Sequence, residues 1–99
     1  FEKNFFNNVE EKGKYFDVGL NKIKKKYPKI IGEIRGLGLI KGLKMLVDNE
    51  KFINKLIENK MLTIKASENV IRLFPPLTVS NKELDESFFK IEKVCKEMS

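Results

Sequence analysis

Few residues in this sequence could do chemistry, and the one whose setting most demands a reason is an arginine. Arg72 lies in the stretch NVIRLFPPLTVS, inside the apolar run Val70, Ile71, Leu73 and Phe74 and just before Pro75 and Pro76. In an alternating strand, Ile71 and Leu73 point to one face while Val70, Arg72 and Phe74 point to the other. Two successive prolines stop the strand, fix the backbone and remove two N–H donors. An arginine on so rigid an element is well placed for bidentate recognition of a carboxylate. The alternative is an arginine at a sheet rim, paired with a surface carboxylate.

The other candidates are weaker. Histidine is absent, which removes the commonest general base and the commonest metal ligand. Cys95 is the only cysteine, so it can form neither an internal disulfide nor a zinc site with spaced partners; a reducing, cytoplasmic setting is expected. The stretch RGLGL lacks the third glycine of a dinucleotide-binding loop, and no capped helix follows it, so its glycines read as a tight turn or a close backbone approach. Glu10 with Glu11 and Asp85 with Glu86 fall on helix surfaces, without the spacing of a metal site or an acid–base pair. No catalytic constellation can be assembled from this chain alone.

The elements that must position Arg72 follow from periodicity. Phe5, Val9, Phe16, Leu20, Ile23 and Tyr27 recur at the spacing of one helix face, Pro28 ends that helix, and Lys24, Lys25 and Lys26 complement its carbonyl end. Ile30 to Val47 is dense in Ile and Leu but broken by Gly32, Gly36, Gly38 and Gly42, which fits short strands and tight turns. Asp48 is expected to cap a helix over 49–59, with Phe52, Leu56 and Ile57 facing the core and Asn59 ending it in the left-handed conformation. Met61 to Ala66 and Asn69 to Phe74 read as strands joined by a turn at Ser67 and Glu68. Ser80 and Glu83 form a capping box before a last helix, whose stripe of Leu84, Phe88, Ile91, Cys95 and Met98 predicts a buried Cys95. This order predicts an α+β fold, with a small antiparallel or mixed sheet covered on one face by helices.

At 99 residues, with eight Phe and 41% hydrophobic residues, the chain is one domain with a modest core. Its net charge of +6 raises nucleic acid or an anionic membrane as partners. The excess lysines are scattered, however, and most aromatics fall at core spacing, so neither partner is expected. No apolar run approaches membrane length and no signal peptide opens the chain, so a soluble protein is expected. A first residue of Phe rather than Met suggests an excised domain or a fragment.

EIRGLGLIKGLKM followed by NVIRLFPPLTVSNKELDE resembles the C-terminal small domain of class III aminotransferases, the fold type I pyridoxal-phosphate enzymes, and acetylornithine and ornithine aminotransferases in particular. The resemblance covers essentially residues 1–99 as a single small domain. It implies that Arg72, in the R-L-x-P-P-L segment, binds the α-carboxylate of glutamate or 2-oxoglutarate, and that Arg35 and the R-G-x-G glycines are structural. It also implies a homodimeric enzyme moving an amino group from N-acetylornithine, or a related ω-amine, to 2-oxoglutarate. The Schiff-base lysine, the Asp facing the pyridine nitrogen and the phosphate loop would belong to a large domain outside this chain, so the segment alone is expected to be inactive. Lys44 departs from an acidic residue in many relatives, and Asn59 from a frequent Gly. Ornithine or 4-aminobutyrate aminotransferase is an alternative, as is a free-standing, non-catalytic α+β interaction module.

Overall fold

The structure, a computed structural model, describes residues 3–36, 38–61, 63–76 and 78–99, and side chains from Val9 onward. Helix α1 spans Lys3–Lys26, strands β1 and β2 span Ile31–Arg35 and Lys41–Met45, and α2 spans Asn49–Glu58. Strands β3 and β4, at Ile64–Ala66 and Val70–Leu73, precede the last helix α3, Asn81–Met98. The four strands form one antiparallel sheet in the order β1-β2-β4-β3. Helix α2 therefore carries the chain from β2 to the far edge, and the β3–β4 hairpin returns β4 to the middle.

The helices cover one sheet face, and the core lies between the layers. Leu43, Met45, Ile71 and Leu73 from the sheet meet Phe16, Leu20, Phe52, Leu84, Ile91 and Cys95 from the helices. Burying each large side chain of this kind contributes about 1.5–3 kcal/mol, so the interlayer core is the main source of stability. A bulge in β1 sets which residues reach it. The register shifts between Ile31 and Glu33, so Ile31 and Ile34 both turn toward the helices although they are three residues apart, while Glu33 and Arg35 turn away.

Several local expectations hold. Pro28 follows the end of α1, and the Ser80 cap is reciprocal: the Glu83 N–H donates to Ser80 Oγ and the Ser80 N–H to Glu83 Oε1, both at 3.1 Å. Cys95 is fully buried, and loss of water pushes its thiol up to about 12, with Glu92 adding to the rise. Phe5 lies outside the described side chains.

Others are corrected. Asp48 occupies the cap position of α2 but makes no side-chain cap bond; instead the Asn49 N–H donates to Asn69 Oδ1 at 2.9 Å. On α2 it is Ile53 that is buried with Phe52 and Leu56, while Ile57 is 47% exposed. Asn59 has φ −91°, and the left-handed residue is Lys60 at φ 61°. The carboxamide of Asn59 instead donates to the carbonyl of Lys55 at 2.8 Å, closing the helix end from the side chain. Strand β3 begins at Ile64 rather than Met61, and the left-handed residues of the hairpin turn are Glu68 and Asn69.

Candidate functional site

The sheet face without helices is where Arg72 lies. Along β4 the pattern is buried, buried, exposed, buried for Val70, Ile71, Arg72 and Leu73, so Arg72 projects away from the core that anchors its neighbours. The register places it in a row across the sheet: Arg35 pairs with Gly42, Gly42 with Arg72, and Arg72 with Ile64. Strands are about 4.8 Å apart, so the backbones of Arg35 and Arg72 are separated by about 10 Å. Gly42 lies between them and supplies no side chain, which leaves an open floor.

A groove of about 340 Å³ opens over that floor, bordered by Arg35, Gly36, Ile40, Gly42, Glu68 and Arg72 among others. Gly36 closes its rim in a conformation only glycine tolerates, with φ +109° and no room for a Cβ, which would meet the carbonyl oxygen of Ile40 at 2.2 Å. The two arginines differ. Arg35 is tied along its strand to Glu33 at 3.0 Å; the side-chain hydrogen bond between them holds the Glu33 carboxyl below the usual carboxylate range and Arg35 above its own. Among the described residues Arg72 has no ion pair and no side-chain hydrogen bond. A guanidinium with its donors unspent, on a strand ended by two prolines, can take a planar anion through two parallel hydrogen bonds.

A second groove, of about 300 Å³, lies between the end of α2 and the start of α3 and mixes Lys60 and Lys90 with Glu83 and Glu86. Its balanced charge suits an anion less well. Among the described residues no group of three or more His, Cys, Asp and Glu could hold a metal ion, and no helix is long and apolar enough to cross a membrane. Glu10, Glu11, Asp85 and Glu86 are exposed, and Asp85 accepts a hydrogen bond from the Tyr15 hydroxyl.

Two features near the site escape a reading of single elements. Lys41 shares the core face of β2 with Leu43 and Met45 and is 5% exposed. The alternation Lys41, Leu43, Met45 is the signal that could have revealed it. Asn69 accepts from the Asn49 N–H and donates to the carbonyls of Met45 and Val47 at 2.9 and 2.7 Å, tying the β4 hairpin to the end of β2 and the start of α2. These partners lie 20 or more residues away, beyond the reach of local pattern.

This arrangement has close counterparts. The model of the family "Aminotransferase class-III" matches residues 1–95. The acetylornithine aminotransferase of Clostridium acetobutylicum is 44% identical over 89 residues, which cover 90% of this chain and 23% of that protein. The mitochondrial acetylornithine aminotransferase of Debaryomyces hansenii is 38% identical over 100 residues, covering 99% and 22%. Among solved structures, the ornithine aminotransferase of Plasmodium yoelii superposes with a TM-score of 0.88 at 30% identity, over 98% of this chain and 27% of that one. A lysine aminotransferase from M. tuberculosis, at 23% identity and a TM-score of 0.91 over 98% of this chain and 23% of that one, shares the fold. The chain spans less than a quarter of the length of the acetylornithine aminotransferases it matches. With the family model spanning all but the last four residues, and relatives alike in both sequence and fold, the chain belongs to the class III aminotransferases.

Proposed function

We propose that this chain is the C-terminal small domain of an acetylornithine-type aminotransferase, which moves an amino group between N-acetylornithine and 2-oxoglutarate, and that Arg72 binds the α-carboxylate of glutamate or 2-oxoglutarate. The observation that carries this reading is that Arg72 has no ion pair among the described residues, on a strand whose other face is core and whose end is stopped by Pro75 and Pro76. Both substrates present a carboxylate that a planar guanidinium can grip, and a lysine cannot reproduce the fork.

Pyridoxal phosphate fits no site formed by the described residues. At the start of α2 the Asn49 N–H is taken by Asn69 Oδ1, and in the first turn of α3 the Glu83 N–H is taken by Ser80 Oγ, so both helix starts are already capped by side chains of this chain. The one deeply buried lysine among the described residues, Lys41, reaches toward Asp17. The cofactor, which in enzymes of this family supplies the electron sink, is held by a large domain outside this chain. That domain also covers part of the open sheet face, and the whole enzyme works in the cytoplasm as a homodimer.

The test uses the full-length protein and follows each half-reaction separately in single turnovers through the cofactor's absorbance. Arg72→Ala should slow the glutamate and 2-oxoglutarate half far more than the ω-amine half, because the reacting amine end presents no α-carboxylate to this residue. Equal slowing of both halves, or of neither, makes Arg72 structural. Comparing N-acetylornithine, ornithine and 4-aminobutyrate as donors identifies the ω-amine. The 99-residue chain alone should neither bind pyridoxal phosphate stoichiometrically nor transfer amino groups; saturable binding abolished by one Lys substitution overturns that division of labour.

A further inference from the structure

The turn that forms the rim of the Arg72 groove is held from behind by a buried charge. Lys41 opens β2, lies on its core face and is 5% exposed. Its ammonium is 3.5 Å from Asp17 Oδ1 on α1 and 3.4 Å from the carbonyl oxygen of Gly36. Both distances are long for hydrogen bonds, so the interaction is chiefly charge with charge and charge with dipole. The Asp17 side chain is half in solvent, 48% exposed, which leaves the ammonium as the desolvated partner.

Three elements meet at this one residue. Asp17 belongs to α1 and Gly36 to the turn after Arg35, while Lys41 itself pairs in register with Leu73, the residue after Arg72. Lys41 also borders the cavities on both sides of the turn, the Arg72 groove and a second one against α1 lined by Gly13, Asp17 and Gly38. Helix and turn approach so closely there that a Cβ on Gly13 would be 2.9 Å from the Cα of Gly38. The turn is thus fastened to α1 twice, once by contact and once by charge. A lysine is a costly way to fill core space, since an apolar side chain of similar length would pack there without desolvating an ammonium. Holding the Gly36 carbonyl dipole and the Asp17 carboxylate together is something that an apolar side chain cannot do.

We propose that Lys41 is a positioning residue for carboxylate binding: through Gly36 and Asp17 it fixes the turn that forms the rim of the groove and thereby limits where the Arg72 guanidinium can go. This rests on the reading of Arg72 as the carboxylate-binding residue. Without the ammonium, the turn keeps its glycines and its contact with Gly13 but loses its electrostatic anchor, so the groove loosens while the fold persists.

The experiment compares Lys41→Met, Asp17→Asn and Arg72→Ala in the full-length enzyme. Lys41→Met should raise KM for glutamate and 2-oxoglutarate by about tenfold, with kcat and the ω-amine half-reaction nearly unchanged, the signature of lost substrate binding rather than lost chemistry. Amide hydrogen exchange should quicken at residues 36–40 and not in β4 or α3. Asp17→Asn leaves the buried ammonium without its counter-charge, so it should lower the unfolding temperature more than Lys41→Met while moving KM in the same direction by less. If Lys41→Met does not fold, the KM shift of Asp17→Asn decides. An unchanged KM in the folded variant, whatever happens to the unfolding temperature, overturns the proposal while leaving the Arg72 reading in place. If Arg72→Ala itself leaves KM for glutamate unchanged, the reading beneath it has failed first.

Discussion

The two faces of the sheet are built from the same strands and obey different rules. On the covered face, Leu43, Met45, Ile71 and Leu73 are each no more than 2% exposed and touch three helices' worth of apolar side chains. On the open face, Arg35, Gly42, Arg72 and Ile64 form a row with charge at two positions, no side chain at one, and an isoleucine that is 49% exposed. Ile40, which borders the same groove as Arg72, adds to that exposed apolar surface. The covered face holds the fold; the open face is free to carry a site, because little stability depends on it. Neighbouring residues of β4 therefore serve opposite ends.

Ile71 and Arg72 give the sharpest way to break that contrast. Losing one partner of a desolvated, charge-assisted pair costs about 2 to 5 kcal/mol, so Arg72→Ala should lower kcat/KM for glutamate by roughly 30-fold to several thousand-fold while the unfolding midpoint hardly moves. Arg72→Lys should recover only part of the loss. Ile71→Ala should do the reverse, destabilising by about 2–5 kcal/mol in a urea titration through the cavity it leaves, with catalysis in the surviving folded fraction little changed. A stability loss in Arg72→Ala as large as that in Ile71→Ala would erase the distinction between the faces.

Asn69 sharpens the comparison, because just before β4 it ties the hairpin to the end of β2 and the start of α2. Asn69→Ala removes three hydrogen bonds and places alanine at φ +62°, whereas Asn69→Gly removes the same bonds without the backbone strain. Loss of buried partners costs about 1–3 kcal/mol, and Asn69→Ala should exceed Asn69→Gly by the cost of the left-handed conformation. Equal losses in urea titrations would mean that the carboxamide alone matters.

Exposed apolar side chains should also reveal themselves by association. Phe74 is 48% exposed, whereas Leu39 is only 4% exposed and belongs to the core; Leu37 and Leu77 lie outside the described residues. Replacing Phe74 and Ile64 by Ser should change stability by no more than about 0.5 kcal/mol each. In sedimentation, the same changes should reduce self-association of the 99-residue chain at high concentration. A strictly monomeric parent chain that binds no hydrophobic dye would favour a free-standing module over a domain with a missing cover.

An effect confined to alkaline pH comes from the covered face. Cys95 is buried with its thiol pushed up to about 12, against about 8.5 for an unfolded cysteine. The folded chain then holds this proton where the unfolded chain has lost it. Its contribution is therefore fully present below about pH 8.5 and declines as pH rises toward 12. The slope of stability against pH in that window should be steeper for the parent than for Cys95→Ala, which also controls for lysine titration. Identical slopes would mean that the thiol is wetter than its burial indicates.

Much of this molecule is written locally. The period of α1, the stop at Pro28, the reciprocal Ser80–Glu83 cap and the outward side of Arg72 depend on groups within a few residues of one another, so the sequence alone determines them, and with them the layered α+β fold. The carboxylate-binding role proposed for Arg72 rests on the family resemblance of its motif; among the described residues its guanidinium has no ion pair. What the tertiary structure decided depends on groups far apart in the chain. Asp48 was positioned to cap α2, yet Asn69, 20 residues from Asn49, takes the bond; Ile53 rather than Ile57 is buried because the neighbouring layer, and not the helix period, chooses the face. The bulge between Ile31 and Glu33 shifts the parity of β1, which alternation alone misses. Lys41 is the clearest case: a lysine in isolation is a surface residue, and only the meeting of α1 and the Gly36 turn supplies the carboxylate and carbonyl that let its charge be buried.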